Sequence, residues 1–403
     1  MRKFLLFLAL ACVAFAADSR PKVRAITAFI RIDPQSYEQQ YADTMRFLND
    51  ARAAYRAAGF EVESVRIVTQ PFPEYIRGMK PDAAVTFLHK LDELATKLQF
   101  TPNIGAAMLK DGDDASVLDV LAKTLATTKL NASLVIAGED GIHWRSIHEA
   151  AKLVKSVEAL SPNGRGNLNF AAAAMVKPFT PFYPAAYHTS SGKTFAVGLE
   201  GANVVGEVFA KYHEPAEAQR QLSAVLSKHM KDAEAVATAV AQKSGWTYAG
   251  IDPTPAPLGD VSIARAMESF IGGPFGSPGT MTAARIITAA VKSVPVKQTG
   301  YSGLMVPVLE DNLLAQRWAE GTFNVDSLLA YSAVCAGGLD TVPLPGDISE
   351  ERIARIVGDV ATLAYKWNKP LCARLLPIPG RKAGEQTEFN DSRMGNVTIQ
   401  SIR

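Results

Sequence analysis

Arg24-Ala25-Ile26-Thr27-Ala28-Phe29-Ile30 is a short β-rich run, and the residues behind it change period: Tyr37, Tyr41, Met45, Leu48 and Tyr55 recur at three-, four- and seven-residue steps before Gly59. An extended run, then apolar residues spaced for one helical face, then a glycine able to take the left-handed conformation, reads as a strand and an amphipathic helix with its stop. The alternation continues along the chain. Further strands are expected near 61–69, 103–109, 132–137, 167–175, 194–199, 246–251, 302–309, 338–343 and 371–378, with Ile353, Ile356, Val357, Val360 and Leu363 forming a helical stripe before the last. This rhythm predicts an α/β fold, a parallel sheet with helices outside. Ten strands are two more than the common eight-stranded barrel has, and an open doubly wound sheet shows the same alternation, so counting alone leaves closure undecided. Residues 202–244, rich in Ala, Glu, Gln and Lys, read as a helical insertion, and no composition break divides 22–403, which reads as a single domain.

The composition agrees with a large buried core: 403 residues, 48% hydrophobic and 20% charged. That excludes a mainly disordered, collagen-like or coiled-coil chain. Lys and Arg number 42 against 40 Asp and Glu; without Arg2 and Lys3 the balance is 40 − 40 = 0. No electrostatic argument for a nucleic-acid partner survives that balance.

Those two bases belong to a leader. Met1-Arg2-Lys3, the uncharged run Phe4 to Phe15 and Ala14-Phe15-Ala16 have the basic head, apolar middle and small-residue end of a secretory signal. Cleavage after Ala16 and export to the periplasm or medium are expected. Cys12 has Ala9 where lipid-attachment sites usually carry leucine, so cleavage is read in preference to lipid anchoring. No later run is long enough for a transmembrane span. Cys335 and Cys372 remain; they read as small buried hydrophobes, with a disulfide as the alternative an oxidising compartment allows.

In parallel α/β folds chemistry gathers at the carboxyl ends of strands. Residues there include Asp252, Glu310 and Asp340, each read as following an apolar strand directly, and Glu139, Asp140, Glu200 and Asp347. Clustered carboxylates can hold a hard cation such as Ca²⁺ or Mg²⁺, or divide into an acid and a base. Asp252, Glu310 and Asp340 are the candidate catalytic acids and metal ligands. The loop Lys177 to His188, rigid with Pro178, Pro181 and Pro184, supplies Tyr187 and His188 as further catalytic candidates in an apolar setting. Gly272-Gly273-Pro274-Phe275-Gly276-Ser277-Pro278-Gly279-Thr280 matches neither glycine-rich nucleotide motif, so no nucleotide cofactor is expected. His143 and His148 stand five apart, not the four that would stack them as zinc ligands.

Lys177-Pro178-Phe179-Thr180-Pro181-Phe182-Tyr183-Pro184-Ala185-Ala186-Tyr187-His188, Phe275-Gly276-Ser277-Pro278-Gly279-Thr280, Val334-Cys335-Ala336-Gly337-Gly338-Leu339-Asp340-Thr341-Val342-Pro343-Leu344-Pro345-Gly346-Asp347 and Pro379-Gly380-Arg381-Lys382-Ala383-Gly384 together resemble the family called domain of unknown function 711, or uncharacterised protein family 0210. The resemblance runs from about Lys22 onward and implies a ten-stranded β/α barrel like that of pyruvate formate-lyase. It implies no settled activity. Glycyl-radical chemistry, known on that fold, is not expected: Arg393-Met394-Gly395-Asn396 has no aromatic after the glycine. Three functional readings stay open: a non-radical enzyme acting on a small polar substrate through its rim carboxylates, which is preferred; an exported small-molecule-binding protein without catalysis, as the alternative; and, third, a structural barrel with a dead site.

Overall fold

The computed structural model of the chain describes residues 20–391 and 393–402, so the leader lies outside the described residues. The strands are β1 Lys22–Ile30, β2 Val65–Thr69, β3 Thr101–Ala106, β4 Asn131–Gly138, β5 Gly141–Ile142, β6 Phe170–Ala174, β7 Thr194–Glu200, β8 Thr247–Asp252, β9 Gly337–Pro345 and β10 Leu371–Ile378. They form one ten-stranded sheet in the order β8-β7-β1-β2-β3-β4-β6-β10-β9, with β5 a short hairpin partner of β4. The protein is thus a mixed α/β structure with a large sheet and helices. No helix among the described residues is long and apolar enough to cross a membrane.

The sequence rhythm predicts a parallel sheet, but the sheet is mixed. β1, β2, β3, β4 and β6 pair in parallel, but β1 meets β7 and β6 meets β10 antiparallel. β7 with β8, and β10 with β9, are again parallel. Two blocks therefore run in opposite senses, and Glu200 at the end of β7 lies opposite Lys22 at the start of β1. The carboxyl ends do not share one rim. Alternation of side chains across strands cannot report strand direction, which is why the sequence reading missed this.

One face of the sheet is sealed by amphipathic helices, among them Tyr37–Ala57, Pro81–Leu98, Trp144–Leu160 and Glu350–Trp367. Outward strand residues such as Ile26, Ala28, Phe195 and Val197 belong to that core. Helices Ala202–Phe209 and Pro215–Ser244 fill the stretch read as an insertion. His229 on the longer one is buried, where the helical pattern alone leaves it facing solvent.

The other face is covered by the chain's own irregular segments. Its strand residues are small where the loop 177–188 packs: Ala171 and Ala173 cluster with Ala185 and Phe182, and Ala196 with Ala186. A Cβ on Gly198 of β7 would stand 3.2 Å from both Phe182 and Pro181. Thr27 and Arg66 donate to the Pro181 carbonyl, and Asn103 to that of Pro184. These bonds satisfy backbone acceptors that have no ladder partner.

One of the ten expected strands, 302–309, is not a strand. Ser302 has φ 46°, and among the described residues the chain over 297–309 makes only isolated bridges, Ile251 to Gln298 at the β8 edge and Pro307 to Asp340 at the β9 edge. Side chains take the place of a neighbouring strand: Asp252 accepts from the Tyr301 and Ser302 amides, Thr254 from Gly303, Thr288 from Leu304 and Thr341 from Leu309. Gly300, at φ 70°, turns so closely over Asp252 that a Cβ there would collide with the carboxylate. Gly300→Ala is expected to destabilise the protein by about 2–4 kcal/mol, from left-handed strain plus overpacking. Chemical denaturation checks this; a loss under about 1 kcal/mol would show that the segment is looser than described.

Candidate functional site

A cavity of about 560 Å³ lies on the inner face, at the end where the first parallel block begins. Ser64, Thr101, Asn131 and Asn169, at or just before the starts of β2, β3, β4 and β6, line it. β9 and β10 contribute Asp340, Cys372 and Arg374, the loop 177–188 gives Phe182 and Tyr183, and the irregular segment gives Tyr301, Met305 and Glu310.

Its acidic corner is made by a β-bulge. Ala373 pairs with Leu339 and Leu375 with Val342, so Asp340 and Thr341 together face the single residue Arg374. Thr341 sits at φ 49°, a strained conformation for a β-branched residue. Bulges of this kind re-aim a side chain. Arg374 Nη1 donates to Asp340 Oδ1 at 2.7 Å and to Glu310 Oε1 at 3.1 Å, while Nη2 donates to the Leu168 carbonyl at 3.0 Å. Burial pushes both acids up, with opposite outcomes. In Asp340 it prevails over Arg374, and the carboxyl stays above its usual range. In Glu310 it is outweighed by Arg374 and Arg24 together, and the carboxyl falls below its usual range.

A second network borders the first. Arg24 bridges Glu63 at 3.1 Å and Glu200 at 3.0 Å and approaches Glu310 at 3.8 Å. Burial, then repulsion from Glu63, raises the Glu200 carboxyl. Arg165 and Arg393 share Asp391. Cys335 and Cys372 are free and buried; the Cys372 thiol donates to the Gly337 carbonyl at 3.0 Å, and burial raises it to about 12, so it stays a thiol.

The sequence candidates divide accordingly. Glu310 and Asp340 share the cavity wall and one guanidinium. Asp252 does not line the cavity with them. It is fully buried at the end of β8, accepting from Thr254 N at 3.0 Å and Oγ1 at 2.5 Å, Ser302 N at 3.1 Å and Tyr301 N at 2.7 Å, and those bonds hold the irregular segment. Tyr187 is committed to the Val176 carbonyl at 2.8 Å, with burial raising its phenol to about 12. His188 is fully buried, Nε2 on the Ile30 carbonyl and Nδ1 on the Ser190 hydroxyl, and burial lowers it to about 4. Both sit outside the cavity wall; from the same loop Phe182 and Tyr183 face it.

Among the described residues no three or more His, Cys, Asp or Glu side chains are grouped to hold a metal. The expected trio Asp252, Glu310 and Asp340 does not fit a cation: one member is elsewhere, and an arginine occupies the point where the other two converge. Sequence reasoning missed Arg374, although an arginine inside Leu371-Cys372-Ala373-Arg374-Leu375-Leu376 is itself a signal, because a charge in an otherwise apolar strand needs a buried partner.

Fold and site define a mixed α/β protein with a polar, arginine-lined cavity against its sheet. The family model described as "Uncharacterised ACR (DUF711)" matches residues 16–391, and the chain belongs to that family. It is similar to a UPF0210 protein of Pyrobaculum aerophilum, 29% identical over 94% of this chain and 90% of the relative. A UPF0210 protein of Methanopyrus kandleri is 31% identical over 80% of this chain and 74% of its own length, and one of Carboxydothermus hydrogenoformans is 27% identical over 85% and 80%.

Arg374→Gln is expected to cost about 3 kcal/mol at pH 7, because it takes the main cation from the buried Glu310 carboxylate and a charged donor from Asp340. The deficit should shrink as pH falls towards 5 and Glu310 of the variant takes up a proton. Urea denaturation of both proteins at the two pH values measures it, and a deficit that does not depend on pH would show that the shared charge is not its source.

Proposed function

We propose that the protein is an enzyme that moves protons on a small polar substrate held in the internal cavity, with Glu310 as base and Asp340 as acid. One observation carries this reading: two carboxylates accept from the same Arg374 nitrogen beside a cavity, and their environments push their proton affinities in opposite directions. Separated affinities let one carboxylate stay ionised while its neighbour keeps a proton. Arg374 fixes both oxygens and keeps the ionised partner compensated in a buried place. The step needs no metal, in keeping with the donor set.

The experiment is solvent exchange. Incubation with a library of small hydroxy and keto acids in D₂O, followed by NMR, should reveal deuterium entering at least one compound. Asp340→Asn should slow that exchange at least about 100-fold. The rate should fall at low pH as Glu310 takes a proton and at high pH as Asp340 loses one, a bell-shaped profile. If no compound exchanges, or Asp340→Asn exchanges like the parent protein, the proton-transfer reading is overturned.

Two structural readings accompany the function. The segment 297–308 bridges β8 at one end and β9 at the other, which supports a ring of two opposed five-membered halves like the pyruvate formate-lyase barrel, without its radical. Export rests on Met1-Arg2-Lys3 with its apolar run, and the family match begins only at residue 16. A mature protein starting at Ala17 in the periplasmic fraction, read by mass spectrometry, is the expected result; an intact Met1 in the cytoplasm would end that reading.

A further inference from the structure

We infer that the cavity seats its small molecule by an oxyanion, a carboxylate or a phosphate, against Arg66 and the free N–H groups of Asn169 and Arg374. This rests on the reading of the same cavity given above and adds the chemical class of the ligand.

Three observations carry it. The first is the kind of group left over. Among the described residues lining the cavity, the buried side-chain atoms without a partner are Asn169 Nδ2 and Arg374 Nε, both donors. Leaving a buried donor unsatisfied costs about 1–3 kcal/mol, so such groups are kept where something accepts from them. Asn169 is 6% exposed and Arg374 7%, and the other nitrogens of Arg374 are already committed.

The second is a cation without a carboxylate. Arg24, Arg165, Arg374 and Arg393 each have an acidic partner within ion-pair distance, whereas among the described residues Arg66 on β2 donates only to the Ser64 hydroxyl and the Pro181 carbonyl, both at 3.2 Å. Its guanidinium lies over the Tyr183 ring, 4.9 Å from the centroid, which fixes its plane beside the cavity. Burial and the neighbouring Arg24 lower its proton affinity to about 10. A bound anion would reverse that, since an opposite charge favours the charged form.

The third is exclusion. Glu310 and Asp340 on this wall are taken up by Arg374, and Glu63 by Arg24, so a cationic ligand would compete with arginines for them and would meet the repulsion of Arg66, while an apolar one would leave the unpaired donors desolvated. Phe182 and Met305 give the wall an apolar part, so an organic anion with a short carbon frame matches better than a bare ion. Planar, forked donors suit carboxylate and phosphate oxygens equally.

The test is calorimetric titration of the purified chain at low ionic strength with succinate and with glycerol phosphate, using glycerol and ethylamine as neutral and cationic controls. Saturable binding of at least one anion and none of the controls is expected. Succinate alone would assign an organic acid, glycerol phosphate alone a phosphate ester, and both the shared oxyanion. Arg66→Gln should weaken binding at least about tenfold, the loss of a charge-assisted contact. Asn169→Asp, which turns a donor into a negative acceptor, should do the same and serves if Arg66→Gln does not fold. Asp340→Asn should bind at least as tightly as the parent while losing deuterium exchange. No saturable binding of either anion, or parental affinity in both donor variants, overturns the inference. Intact anion binding without exchange would leave it standing and remove only the proton-transfer step.

Discussion

Two segments of this chain, 177–188 and 297–310, are buried without being helix or strand, and every N–H and C=O that they take out of water must find a partner. The sheet supplies few of them: the edge strands β8 and β9 bond the second segment through the backbones of Ile251 and Asp340. Side chains supply others: Thr27, Arg66 and Asn103 hold the first segment, and Asp252, Thr254, Thr288 and Thr341 the second. Much of the polar character of the inner face follows from this need. Asp252 in particular serves folding, since its carboxylate does the work of a missing strand edge.

The same constraint creates the cavity. Alanines on β6 and a glycine on β7 let the loop 177–188 approach the sheet, yet the loop and the irregular segment do not fill the end where the first block begins. There the bulge at Asp340 and Thr341 turns a carboxylate inward, and Arg374 on β10 is the only residue across the ladder from both. A buried arginine needs acids, and buried acids need a cation, so Glu310, Asp340 and Arg374 compensate one another. Arg66, close by, meets hydroxyl and carbonyl oxygens where its neighbours meet carboxylates. Charge placement, more than total charge, gives this wall its chemistry.

Most of the strands were legible in the letters because alternating and 3.6-residue patterns survive any tertiary arrangement. Residues 302–309 failed that test: a run rich in Leu, Met, Val and Pro looks extended, but Ser302 in the left-handed region and the reach of the Asp252 and Thr341 side chains make it irregular. Glu310 and Asp340 were legible as candidates through their position near apolar runs. Asp252 carried the same signal, and Tyr187 and His188 that of the proline loop; all three lie away from the cavity wall with their polar atoms hydrogen-bonded, and burial and hydrogen bonding of that kind are invisible in sequence. Arg374 carried a signal that a rule about strand ends passes over, because it lies in the middle of a strand.

The sequence by itself determined the α/β class, the positions of nearly all strands, the family resemblance and the rigidity of the proline loop, since each depends on local periodicity, local backbone restriction or motif order. Only the tertiary structure decided that the two strand blocks run in opposite senses, that the loop lies against the inner face and that Arg374 stands between Glu310 and Asp340. Those are facts of strand direction and register, and a one-residue bulge that turns a carboxylate inward leaves no trace in composition or spacing.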